Sequence, residues 1–88
     1  MTGVAQYRLA RGIRLQREAS GSLLLLVPEG IVTLNETAFA ALELADGERS
    51  IETIAALLAE RFDDTSGSLA ADVRELFDEF TARGYLLR

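Results

Sequence analysis

The feature that most narrows what this chain can fold into lies in its middle, where Leu26-Val27 run into Pro28-Glu29-Gly30, then Ile31-Val32-Thr33-Leu34, then at once Asn35-Glu36-Thr37. Proline presets the backbone for a turn, glycine tolerates the positive φ that turns demand, and the β-branched residues beyond them suit a strand. Asn35 offers a side-chain oxygen to the unsatisfied N–H groups of a first helical turn. The segment therefore reads as a hairpin feeding a helix. Its second strand, residues 31–34, is short and is predicted to lie at the edge of a small sheet, with unpaired backbone groups that another peptide can use.

Upstream, residues 13–18 alternate apolar and polar, the period of a half-buried strand. Residues 19–22 are small and turn-forming. Leu23–Val27 is apolar on both faces, as befits a central strand. These three strands make an antiparallel meander. After Asn35 the period changes from two to 3.6: Ala38, Phe39, Leu42 and Ala45 form one apolar face of a first helix ending near Asp46-Gly47. Ser50 is placed to cap a second helix, whose stripe is Ile51, Ile54, Ala55, Leu58 and Phe62. A polar connection over residues 63–68 leads to a third and longest helix marked by Leu69, Val73, Leu76, Phe77 and Phe80. Gly84 suits the position just past its end, with Tyr85, Leu86 and Leu87 folding back as an apolar tail. The expected fold class is α+β and winged helix-turn-helix-like: a three-stranded antiparallel sheet followed by three α-helices. The whole chain, residues 1–88, reads as a single domain.

Composition decides what such a domain is not. The 88 residues contain neither Cys nor His, which removes disulfides, thiolate nucleophiles, imidazole bases and the commonest zinc ligands. Asp63-Asp64 and Asp78-Glu79 are adjacent pairs, and adjacent residues on a helix do not face each other, so they read as surface charge. The expectation is a non-enzyme with no cofactor and no metal. Every basic residue is Arg; Arg8, Arg11, Arg14 and Arg17 read as a solvated strand face, while carboxylates crowd the second half of a chain of net charge −5. A winged-helix DNA-binding regulator needs a basic reading helix, and the second and third helices here are acidic. The longest apolar run, residues 23–28, falls far short of the roughly 20 residues of a membrane span. With no export signal in view, a cytoplasmic protein is expected, without nucleic-acid or membrane partners.

Taken in order, Arg11-Gly12-Ile13-Arg14-Leu15, Leu25-Leu26-Val27-Pro28-Glu29-Gly30, Leu34-Asn35-Glu36-Thr37-Ala38, Asp46-Gly47 with Ser50-Ile51, Ala71-Asp72-Val73 and Arg83-Gly84-Tyr85-Leu86 resemble the pyrroloquinoline quinone (PQQ) biosynthesis protein D family. The similarity runs from about Tyr7 to the end. It implies a peptide chaperone: a stand-alone recognition element that binds the leader of a ribosomally made precursor peptide and delivers it to a radical S-adenosylmethionine (SAM) enzyme. In such proteins the leader adds as a strand in the groove between strand three and helix three. By resemblance the peptide-binding positions are Ile31, Val32, Thr33 and Leu34 on the strand and Asp72, Val73, Leu76 and Phe77 on the helix. Each apolar member of that set also fits a core role; Asp72 and Glu75 are candidates to pair with a cation on the peptide, with a solvated helix face the blander account of Glu75. Two departures stand out: Ala45 where many members have Cys, and no aromatic residue in Gly21-Ser22-Leu23. Recognition of a precursor from another peptide-modifying pathway would use the same fold and groove with different cargo.

Overall fold

Asn35 holds the junction together. Its Oδ1 accepts the Ala38 N–H at 2.7 Å, and the helix that follows, α1, runs Glu36–Glu43. In this computed structural model, which describes residues 6–64 and 67–88, the strands before it are β1 (Gln6–Leu9), β2 (Arg14–Arg17), β3 (Leu23–Val27) and β4 (Gly30–Leu34). Strands β2, β3 and β4 form the expected antiparallel meander with β3 in the centre and β4 at one edge. Gly30 takes the positive φ, +149°, that closes the β3–β4 turn.

A second sheet is the main addition to the sequence-based expectation. Beyond α1 the chain does not pass straight to the next helix: Asp46–Ser50 forms β5, and after the last helix Leu86–Leu87 forms β6. These flank β1 in the order β5-β1-β6, all antiparallel. The residues expected as an apolar tail thus include a short strand, anchored further by Ala10 N–H donating to the Tyr85 carbonyl at 2.9 Å. Asp46 organises the start of β5, its Oδ1 accepting the N–H groups of Glu48 and Arg49 at 3.0 and 3.2 Å.

Helix α2 (Ile51–Arg61) starts as expected at Ser50, whose Oγ accepts the Thr53 N–H at 3.1 Å. Helix α3 (Ser68–Ala82) is the longest. Its N-cap is Gly67 with no side-chain bond of its own, and Asp64 supplies one from upstream, accepting the Leu69 N–H at 3.3 Å. Asp64 therefore helps start α3, where the sequence suggested only surface charge. At the other end Gly84, at φ +84°, closes a Schellman motif: the Tyr85 N–H donates to the Phe80 carbonyl at 2.8 Å and the Gly84 N–H to that of Thr81 at 3.1 Å. The apolar contact that accompanies such caps is Phe80 on Tyr85, edge to face with centroids 5.5 Å apart. One core lies between the helices and both sheets, with Leu25, Leu42, Ile54, Leu58, Val73, Phe77 and Leu86 almost wholly enclosed.

Candidate peptide-binding site

An open sheet edge presents unpaired backbone groups to which another chain can add, and the four edges here are unequal. The free edge of β2 carries Arg14 and Arg17, with the Arg17 guanidinium lying over the Phe39 ring at 4.8 Å. Strand β5 carries Asp46, Glu48 and Arg49, two of them joined in an ion pair, and β6 is two residues long. Charge and shortness are the usual devices that keep an edge from recruiting another strand. Strand β4, Gly30-Ile31-Val32-Thr33-Leu34, has five residues and no charge.

Which backbone groups that edge presents follows from register. In the β2–β3 hairpin the Glu18 N–H donates to the Ser22 carbonyl at 2.9 Å. Alternation along β3 then turns the backbones of Leu24 and Leu26 toward β2 and those of Leu23, Leu25 and Val27 toward β4. The β4 partners of the latter are Leu34, Val32 and Gly30, so these point inward. The N–H and C=O groups of Ile31 and Thr33 face out from the edge. Side chains alternate with the same period: Ile31 and Thr33 share the outer face with Leu24 and Leu26, and Ile31 is 63% exposed. Val32 packs against the core and Leu34 is buried in it.

Where β4 ends, a groove begins. Asn35, Thr37 and Ala38, from the start of α1, form one wall; Leu69, Asp72, Val73 and Leu76 on α3, with Glu75 and Glu79, form the other, and the space between is about 350 Å³. The α3 residues fall at helical spacing, so one face of that helix supplies the wall. Its floor is apolar, from Ala38, Leu69, Val73 and Leu76, and its rim is acidic, from Asp72, Glu75 and Glu79. Glu79 is paired with Arg83 at 3.0 Å; among the described residues Asp72 and Glu75 form no ion pair.

Three of the four helix residues named from sequence, Asp72, Val73 and Leu76, line this groove. The fourth does not. Phe77 is 0% exposed and stacks edge to face on Tyr7 of β1, centroids 5.1 Å apart, so it supports α3 from beneath and offers nothing to a ligand. None of the four β4 residues named from sequence lines this groove; Leu34 leads directly into its lining residue Asn35. The lining residues not named as sites from sequence are Asn35, Thr37, Ala38, Leu69 and Glu79; the N-cap signal at Asn35, which fixes where the first turn of α1 starts, was the available clue. No group of His, Cys, Asp and Glu able to hold a metal ion occurs among the described residues, and among them no helix is long and apolar enough to cross a membrane.

Comparison with known proteins agrees with this architecture. Residues 22–86 match the family model described as coenzyme PQQ synthesis protein D (PqqD). A PqqA binding protein of Rhizobium meliloti is 37% identical over 87 residues, covering 98% of this chain and 89% of that protein. One from Klebsiella pneumoniae is 49% identical over 67 residues, covering 75% and 71%, and one from Azotobacter vinelandii 42% over 80 residues, covering 90% and 86%. Among solved structures, the PqqD truncation of Methylobacterium extorquens PqqCD, described as a functional and stand-alone recognition element for ribosomally synthesised and post-translationally modified peptides, superposes with a TM-score of 0.79 at 28% identity over 97% of both chains. With its fold and most of its length matched in this way, the chain belongs to the PqqD family.

Proposed function

We propose that this chain binds the ribosomally made precursor peptide of PQQ biosynthesis by adding the peptide's leader as a strand beside β4, and presents it to the radical SAM enzyme that modifies it. The observation that carries this reading is the asymmetry of the edges: among the described strands β4 is the one edge both long and uncharged, with the backbone groups of Ile31 and Thr33 directed outward. Relatives named as PqqA binding proteins support the cargo. Strand addition supplies affinity through main-chain hydrogen bonds, and the groove beyond Leu34 supplies selectivity through side chains. On this reading the protein is not itself catalytic and works in the cytoplasm, where its peptide is made.

Titration calorimetry with the precursor leader, no cofactor added, tests binding. Hydrogen exchange tests the mode: the Ile31 and Thr33 amides gain protection in the complex, while that of Val32, already bonded to β3, changes little. Binding with no added protection at Ile31 and Thr33 overturns strand addition on this edge, and absence of binding by the folded domain overturns the role.

A further inference from the structure

The groove between α1 and α3 joins an apolar floor to a carboxylate rim, two of whose three members, Asp72 and Glu75, form no ion pair among the described residues. Ala38, Leu69, Val73 and Leu76 offer a seat for an aliphatic or aromatic side chain; the space of about 350 Å³ holds one large residue or two small ones. Leu76 decides this point, since it belongs to the buried stripe of α3 by spacing yet remains only partly covered. Above that floor stand Asp72 and Glu75, one turn of α3 apart, and Glu79, which already has Arg83. The wall opposite, Asn35, Thr37 and Ala38, carries no cation. Asn35, a lining residue of the groove, follows Leu34, the last residue of β4, directly.

Resting on the reading above, we infer that the groove selects a cationic and apolar peptide segment: a large apolar side chain seated on Leu69, Val73 and Leu76, with a Lys or Arg within a residue or two of it that pairs with Asp72 and Glu75. Strand addition to β4 is indifferent to sequence, whereas this contact reads it. A peptide emerging from the edge past Leu34 meets the groove with its next residues, so the basic and apolar pair lies immediately outside the stretch that forms the added strand. The carboxylates reject acidic segments by like-charge repulsion, which keeps the open edge from accepting any extended chain of the right length.

A two-by-two comparison tests this with the precursor leader as probe. The peptide is used as made and with the Lys and Arg residues flanking its protected stretch changed to Gln; the protein is used as the parent and as the double variant Asp72→Asn, Glu75→Gln, two exposed positions whose substitution leaves the core untouched. The parent is expected to bind the neutralised peptide about three- to tenfold more weakly, the range for a pair of partly screened ion pairs. The double variant is expected to lose about the same factor for the natural peptide and to be indifferent to neutralisation. Methyl resonances of Leu69, Val73 and Leu76 shift with the natural peptide. Equal binding of both peptides by the parent, a bound leader with no Lys or Arg beside the protected stretch, or unshifted methyls overturns the inference. If Ile31 and Thr33 amides are still protected in those cases, strand addition stands and only the groove's selectivity fails; if the parent binds no leader, both fail together.

Discussion

Adjacent residues Leu76 and Phe77 illustrate how fine the division between scaffold and surface is. Both sit in the apolar stripe of α3, but one is roofed by Tyr7 and the other opens on the groove. Phe77→Ala is expected to cost about 3–5 kcal/mol of stability, read in denaturant unfolding, because it opens a cavity in the core. Leu76→Asp is expected to keep the fold by circular dichroism and weaken leader binding, and Glu79→Ala to change binding less, since an unpaired charge against an apolar contact is far more costly than loss of a solvated one. Gly84 gives a second test at this scale. At φ +84° it holds a conformation that costs an L side chain about 1–2 kcal/mol, so Gly84→Ala should lower the melting temperature although an added Cβ meets nothing within 4 Å. Asp46 gives a third. Hydrogen bonds from the Glu48 and Arg49 N–H groups, with the Arg49 charge beside it, hold its carboxyl below the ordinary 3.8. A depressed folded value means that its contribution is complete above about pH 4 and is lost as pH falls through the folded value. Acid melts of the parent should therefore lose a component that Asp46→Asn lacks.

At the scale of the element, strand β4 and helix α1 were legible because local chemistry and tertiary placement agree: Pro28, Gly30 and Asn35 each impose a backbone conformation that the meander also requires. Strand β5 was not legible. Asp-Gly-Glu-Arg-Ser has no alternation and poor strand propensity, and it becomes a strand through pairing with β1 and the Asp46 turn. Strand β1 left a trace in the alternation of Tyr7 and Leu9, buried and half-buried, too short to separate from an irregular lead-in. On α3, helical spacing accounts for Asp72, Val73 and Leu76 lining one groove, whereas the depth of Phe77 depends on Tyr7, far away in sequence. The register of β4 makes a proline scan decisive. Ile31→Pro and Thr33→Pro remove donors that face outward, so the domain should fold and bind no leader. Val32→Pro removes a donor bonded to β3 and should destabilise the domain by about 1–3 kcal/mol. Reversal of that pattern in calorimetry and melting would place the open groups on the other parity.

At the scale of the whole molecule, the two sheets divide the work. One holds the open edge; the other, β5-β1-β6, sits against α3 through Tyr7 and holds that helix in place. Its arrangement also brings the two ends of the described chain together, since Arg8 of β1 lies opposite Leu87 of β6. The entry and exit of the domain are thus neighbours, and both belong to the sheet that does not carry β4. The geometry is that of a cassette: a catalytic domain spliced to either end, or the domain inserted into a loop of a larger enzyme, leaves β4 uncovered and costs the insertion site little chain. A fusion through a short Gly-Ser linker at either terminus is expected to bind the leader as the free domain does. On the proposed function, freestanding and tethered forms of such a domain would share one edge and differ in whether peptide and enzyme meet by diffusion or at the high local concentration of a single chain.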